Sequence, residues 1–273
     1  MLNVRGIKAR PRDLHEMMAH KPSLVEMHCS VDDLLWTPPS TYDAPLAVHL
    51  PEYDKGDLVD AASLNETKRR AAEDLYCMAV RKAVQWAPHF ANCKPKIVFH
   101  PGGMDVDVFT QSQIDDARSQ LGRTIESMVA AAGNEADILI ENVPRHCWFF
   151  GGDWIANLGV DVKQMAEICT THKIGMTLDL CHLYLASQAM KFDVSEAVSL
   201  VKEHVRHIHY SGAKGMDGEG LAIDDPANTF DLGSELQRLR DIDAVAVPEI
   251  WFGHENGGAG FVKAWASAEQ ALG

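Results

Sequence analysis

The sequence lacks the features of a membrane or secreted protein. No apolar run reaches the roughly 18 residues that a helix needs to span a bilayer. The N-terminus MLNVRGIKARPRD has no apolar core of the kind found in signal peptides. The six cysteines are scattered and include no CxxC pair, so we expect reduced thiols in a cytoplasmic protein.

An excess of basic residues is also absent. The chain has 25 lysines and arginines against 39 aspartates and glutamates, which gives a formal net charge of −14. This charge disfavours non-specific binding to nucleic acid or to an anionic membrane surface. The basic triplet KRR at 68–70 falls in a predicted helix, where a solvent-exposed face accounts for it.

The chain contains no linker or low-complexity segment that would divide it. No GxGxxG motif follows the first predicted strand, so nothing marks a dinucleotide site. Hydrophobic residues make up 46% and charged residues 23% of the 273, which allows a sizeable buried core. We therefore predict one domain that spans residues 1–273.

Strand-like and helix-like segments alternate along the chain. Short apolar, β-branched runs predict eight strands at 2–7, 23–29, 45–50, 96–100, 137–143, 173–180, 205–211 and 245–250. Apolar residues at steps of three and four, preceded by capping residues such as Asn65, Thr110 and Asp193, predict helices at 65–87, 110–132, 161–172, 193–204 and 261–272. This order predicts an α/β fold, a (β/α)8 TIM barrel, with a doubly wound sheet as the alternative.

Metal-capable side chains stand at the ends of six consecutive predicted strands. They are His49, His100, Glu141, Asp179, His209 and Glu249, and His182 follows three residues after Asp179. A single strand-end histidine is most often a hydrogen-bonded core residue. Because the carboxyl ends of barrel strands meet at one mouth, the recurrence over six strands favours a metal site instead.

The types of side chain indicate which ions would bind. Imidazole together with carboxylate suits zinc, manganese, iron or cobalt better than magnesium. One ion could be held by four ligands, which are Glu141, Asp179, His209 and Glu249. A second ion could be held by His49 and His100, with Glu141 as a bridge. His182 would be an outer-sphere group, a substrate contact or a ligand to a third ion, so we expect one to three divalent ions.

Five motifs resemble those of the xylose isomerase-like TIM barrels, a superfamily that includes sugar-phosphate isomerases and epimerases and the endonuclease IV type of abasic-site nucleases. The motifs are FHPGG (99–103), ILIENV (138–143), TLDLCH (177–182), HIHYSGAK (207–214) and VPEI (247–250). The resemblance implies that the four-ligand set matches the single-metal site of the isomerases and epimerases. It also implies that His49 and His100 match the second-zinc histidines of the nucleases, and that His182 matches a ligand to their third zinc.

The sequence departs from the nuclease pattern after His209. The nucleases continue with an Asp-x-His segment, whereas residues 215–233 contain no histidine, although Asp224 or Asp225 could contribute a ligand. This departure weakens the nuclease interpretation. LDLCHLYLASQ and IHYSG also bear a looser likeness to multinuclear iron barrels that oxidise cysteine-containing peptides, which we keep as a third alternative.

For an isomerase or epimerase, the resemblance implies that Glu141 and Glu249 flank the substrate. They would exchange a proton as base and acid, through an enediolate that the metal stabilises. Loop residues that follow the strands are candidate substrate contacts: Arg145, Trp148, Lys214, Trp251 and His254. Of these, Lys214 or Arg145 could hold a phosphate or carboxylate. We expect a small sugar or sugar phosphate as the binding partner, and nucleic acid is a less favoured one. We expect no membrane contact, and the sequence is compatible with a homo-oligomer.

Overall fold

The computed structural model describes residues 1–91, 94–147 and 154–273. Eight strands form one parallel sheet in chain order. They are β1 Gly6–Ala9, β2 Leu24–His28, β3 Leu46–His49, β4 Lys96–Phe99, β5 Asp137–Glu141, β6 Gly175–Asp179, β7 Val205–Tyr210 and β8 Ala246–Pro248. A bridge between Asn3 and Val245 brings the last strand beside the first. The sheet is thus a near-closed barrel, and the predicted single-domain TIM barrel is confirmed.

Helices cover the outside of the barrel. They are α1 Leu14–Met18, α2 Glu66–Trp86, α3 Gln111–Ala132, α4 Val162–His172, α5 Leu180–Met190, α6 Val194–Val201, α7 Leu232–Leu239 and α8 Glu255–Leu272. The predicted caps are confirmed, because the Asn65 side chain accepts the first N–H groups of α2 and Thr110 forms a capping box with Gln113. In α8, residues 256–258 have left-handed backbone angles, so its regular part begins after them.

The loops that connect the barrel strands and helices contain short strands and 3-10 turns. Paired strands are Tyr53–Asp54 with Asp57–Leu58, Gly212–Lys214 with Gly218–Leu221, and a sheet of Met104–Asp105, Trp154–Ala156 and His146–Cys147. Two 3-10 turns lie at Asp32–Leu35 and Ala87–His89. Within the described ranges, every helix is too short or too polar to cross a bilayer, and the cysteines described there are free thiols.

Two predicted boundaries were wrong. The first strand lies at Gly6–Ala9 rather than 2–7, because the Asn3 side chain accepts the N–H of Arg5 at 2.9 Å and turns the chain before the strand begins. No helix was predicted between residues 180 and 193, but helix α5 lies there, and His182 stands in its first turn. The Asp179 carboxylate accepts the backbone N–H of His182 at 2.6 Å and so caps this helix.

The barrel interior changes from apolar to polar along the strands. Leu24, Ala47 and Val247 form a small apolar cluster near the strand starts. At Gly6, a Cβ atom would lie 2.6 Å from Val247 Cγ2, so the close approach of β1 to β8 requires glycine there. Side chains alternate in direction along a strand, and the interior positions nearer the carboxyl ends hold the ionisable residues described next.

Candidate metal centre

The structure brings the four predicted ligands of the first ion together. His209 Nδ1 lies 3.1 Å from Glu141 Oε1, 3.7 Å from Glu249 Oε2 and 4.0 Å from Asp179 Oδ2. One ligand atom from each of the four residues lies within 4.8 Å of all the others. Ligand atoms around one tetrahedral zinc ion with bonds of ~2.1 Å lie about 3.4 Å apart. The side chains therefore fit a shared ion.

A second group shares Glu141 with the first. Glu141 Oε2 lies 3.2 Å from His49 Nε2 and 3.6 Å from His100 Nε2. These three residues also meet the distance requirement for one ion. Glu141 is fully buried and its two oxygens face different histidines, so it lies between two candidate metal sites.

The ring nitrogens that face away from the centre have acceptors. His49 Nδ1 lies 3.0 Å from the Leu50 carbonyl oxygen, and His209 Nε2 lies 2.9 Å from Glu26 Oε2. Because these acceptors need N–H groups, the lone pairs of His49 Nε2 and His209 Nδ1 are left to face Glu141. Two acceptors that face each other need a proton or a metal ion between them.

In the metal-free protein that bridging species is a proton. Burial alone would lower the pKa of His49, but its hydrogen bond to Glu141 and the charge of that carboxylate raise it to about 9. The pKa of His209 is likewise raised, against burial, by the carboxylates of Glu26, Glu141 and Glu249. A divalent ion would displace these protons, and the donor set therefore fits zinc, manganese, iron or cobalt.

Glu26, in the middle of β2, supports His209 from below. It is fully buried, and its Oε2 accepts hydrogen bonds from Nε2 of His207 at 2.7 Å and of His209 at 2.9 Å. Burial alone would raise the pKa of Glu26, but the charge of His209 and the two hydrogen bonds hold it well below its usual value. Glu26 thus fixes the orientation of the His209 ring.

A cavity of about 640 Å³ opens above the metal centre. Asp179, His182, Glu249 and His100 reach its lining, whereas Glu141, His49 and His209 lie buried beneath it. Volumes of about 300–1,000 Å³ are typical of small-molecule sites. Of the predicted acid–base pair, Glu141 and Glu249, only Glu249 belongs to the cavity lining formed by the described residues.

Glu249 is paired with a lysine on the neighbouring strand. Lys8 Nζ lies 2.9 Å from Glu249 Oε1, while Oε2 faces His209. Burial alone would raise the pKa of Glu249, but Lys8 and His209 lower it to about 2. One oxygen of Glu249 therefore faces the candidate metal centre, and the other faces the ammonium group of Lys8.

His182 faces the cavity from the first turn of α5. Its Nδ1 lies 3.0 Å from the Asn142 carbonyl oxygen, and its Nε2 lies 3.6 Å from Glu219 Oε2. Glu219 stands in the hairpin that follows His209, where the sequence offered no histidine. Asp224 instead pairs with Lys263 at 2.6 Å on the surface and does not contribute here.

The predicted substrate contacts divide into three groups. Trp251 and His254 line the cavity. Arg145 donates to the Ala156 carbonyl oxygen at 2.6 Å and Lys214 is exposed at the end of its hairpin strand; both lie outside the lining formed by the described residues. Trp148 lies outside the residues that the structure describes. Neither Arg145 nor Lys214 therefore reaches the described part of the cavity, where a phosphate or carboxylate contact was expected.

Five residues of the site were missed by sequence reasoning: Lys8, Glu26, His28, Glu52 and Glu219. Glu26 and His28 stand in the apolar strand SLVEMHC, so the criterion that selected Asp179 would have found them. Glu52 Oε1 lies 3.5 Å from His100 Nδ1 and 3.9 Å from His28 Nε2. Its loop carried no local signal.

Comparisons with known proteins agree with this architecture. Residues 40–269 match the family model described as xylose isomerase-like TIM barrel. Similar solved structures include a D-tagatose 3-epimerase-like protein, with 18% identity, a TM-score of 0.68, and coverage of 98% of this chain and 96% of that one. Another is endonuclease IV from Thermus thermophilus, with 15% identity, a TM-score of 0.63, and coverage of 97% of this chain and 98% of that one.

A third similar structure is 3-keto-D-glucoside 4-epimerase from E. coli, with 10% identity, a TM-score of 0.68, and coverage of 98% of this chain and 100% of that one. At these identities the likeness concerns the fold. No curated protein matches the chain. Because the family model covers most of the sequence, the chain belongs to the xylose isomerase-like TIM barrel family.

Proposed function

We propose that the protein is a metal-dependent isomerase or epimerase that acts on a small sugar or sugar phosphate. The observation that carries this proposal is the position of His209 Nδ1, within 4.0 Å of carboxylate oxygens from Glu141, Asp179 and Glu249. This group lies directly below a cavity of small-molecule size. The sugar epimerases among the similar folds support the same class of substrate.

The chemistry requires removal of a proton from a carbon beside a carbonyl group. A divalent ion at the centre would supply Lewis acidity to the carbonyl oxygen and its neighbouring hydroxyl. Glu249 is ionised and lines the cavity, so we assign it the proton transfer. Glu141 has no face towards the cavity, and we therefore assign it to holding the ion, which revises the role that the family resemblance implied.

An epimerase needs a second proton carrier, and Glu219 is our candidate. It lines the cavity beside His182. Burial raises the pKa of Glu219, and the charges of Asp179 and Glu249 add to this, while His182 opposes it. A carboxyl group with a raised pKa suits a proton donor. An aldose–ketose isomerase, in contrast, can work with Glu249 alone.

Deuterium exchange tests the proposal even while the substrate is unidentified. Metal-loaded protein would be incubated in D2O with a panel of ketoses, aldoses and their phosphates, and deuterium uptake beside the carbonyl would be followed by NMR. We expect uptake for at least one compound, and its loss in Glu249→Gln. Glu255→Gln, at an exposed position near the cavity, is the matched control. Equal exchange by Glu249→Gln would refute the role of Glu249.

A second candidate function is a multinuclear phosphodiesterase. The observation that favours it is the second oxygen of Glu141, which faces His49 and His100, because two ions that share a carboxylate can clamp both oxygens of a scissile phosphodiester. Metal analysis distinguishes the candidates. One ion per chain favours the isomerase, and two or three zinc ions with cleavage of abasic-site DNA would favour the nuclease. Iron with a visible charge-transfer band would favour the peptide-oxidising alternative.

A further inference from the structure

We propose that the substrate carries an anionic group, a carboxylate or a phosphate, and that this group binds to cationic side chains at the end of β1. We call Lys8, Arg10 and Arg12 the basic segment. All three line the cavity. This inference rests on the proposed function and adds the chemical class of the substrate to it.

Every lysine and arginine in the cavity lining, as far as the chain is described, belongs to the basic segment. The other ionisable groups of the lining are carboxylates, histidines, a tyrosine and thiols. The carboxylates of the lining would repel an anion, whereas the basic segment would attract it. The shift of β1 from the predicted 2–7 to Gly6–Ala9 is what places these residues at the mouth.

Arg10 is held in a fixed orientation. Its Nη1 donates to Asp33 Oδ2 at 3.1 Å, and Asp33 in turn accepts the backbone N–H and the hydroxyl of Ser30, both at 2.8 Å. A guanidinium group has five N–H donors, and this contact uses one of them. The remaining donors form a planar fork that suits a carboxylate or phosphate.

Arg12 is exposed at the cavity rim, and no acidic partner contacts it within residues 1–91, 94–147 and 154–273. In a chain of net charge −14, a rim arginine without a carboxylate partner is available for a ligand. Lys8, at the inner end, pairs with Glu249. Residues 8 and 12 span at most roughly 14 Å of chain, which covers the length of a short sugar acid or sugar phosphate between the metal centre and the rim.

Binding of three matched compounds tests the inference. Erythritol, D-erythronate and D-erythritol 4-phosphate share a four-carbon polyol and differ in charge, so calorimetric titration of the metal-loaded protein isolates the contribution of the anion. We expect at least one anion to bind about tenfold more tightly than erythritol. The better anion identifies the group as carboxylate or phosphate.

The double variant Arg10→Met with Arg12→Met should remove this preference. If the preference instead came from direct contact between the anion and the metal, the double variant would keep it. Arg5→Met is the control, since Arg5 pairs with Glu269 on the surface. If metal-dependent binding is equal for erythritol and both anions, or if the double variant keeps the preference, the inference is wrong and the proposed function stands. If none of the three compounds binds in a metal-dependent manner, both fail.

Discussion

Replacement of Glu26 by glutamine should weaken metal binding at the candidate centre of Glu141, Asp179, His209 and Glu249, to which Glu26 does not belong. Glu26 is fully buried and accepts from His207 and His209 through the same oxygen, Oε2. A carboxamide oxygen can accept both hydrogen bonds in the same place, so the substitution removes the negative charge and keeps these two contacts. Its NH2 group replaces Oε1, which is buried and has no hydrogen-bond partner among the described residues. The charge polarises the His209 ring and makes Nδ1 a stronger donor to an ion.

The expected size follows from the outer-sphere position of Glu26. Loss of such a partner typically lowers metal affinity about 10–100-fold, which corresponds to roughly 1.4–2.8 kcal/mol. We expect a value towards the upper end, because both side chains are fully buried and solvent screens their interaction little.

Competition with a zinc-binding dye measures this affinity directly. Thr177→Val is the matched control, because Thr177 is fully buried in β6 and its hydroxyl has no hydrogen-bond partner among the described residues. Thermal unfolding of the metal-free proteins checks that both variants fold. If Glu26→Gln binds zinc as tightly as the wild type, Glu26 does not support His209 and the argument from ring orientation is wrong.

Three further predictions concern the acid–base group, the protons of the site and the backbone. Glu249→Gln should lower turnover by about 10²–10⁴-fold while most of the metal remains, as measured by elemental analysis; full turnover would exclude its role. Because His49 has a pKa of about 9 without metal, zinc binding should release protons at pH 7, and the zinc affinity should fall as the pH falls below 9. Calorimetry in buffers of different ionisation enthalpy measures the number of protons released. A zinc affinity that is independent of pH would contradict this prediction. Gly102→Ala should lower the free energy of unfolding by more than about 1 kcal/mol in denaturant titrations, because φ is +76° and the new Cβ would lie 2.2 Å from Asp60 Oδ1; wild-type stability would show that the loop of Asp60 adapts freely.

The barrel and the predicted ligands were accessible from the sequence because both depend on local patterns. Apolar strands that end in a histidine or carboxylate repeat six times, and parallel strands carry such ends to one mouth. The structure brings Glu141, Asp179, His209 and Glu249 together as that pattern indicates. Their roles as ligands stay a prediction until metal is measured.

The remaining features depend on contacts that no local pattern records. Helix α5 was missed because LCHLYLASQAM is apolar on nearly all sides and shows no amphipathic period. Lys8 was missed because the start of β1 depends on the Asn3 side chain. Glu52 and Glu219 stand on loops whose positions follow from distant residues. For the same reason the sequence could not show that Arg145 and Lys214 lie outside the cavity lining formed by the described residues.

The closure of the barrel sets the order in which the centre can assemble. Lys8 and Glu249 are separated by 241 residues, and the bridge from Asn3 to Val245 joins the two ends of the sheet. A nascent chain that has not yet released its last strand from the ribosome lacks Glu249 beside His209. The four candidate ligands therefore come together only when β8 has paired beside β1 and closed the barrel.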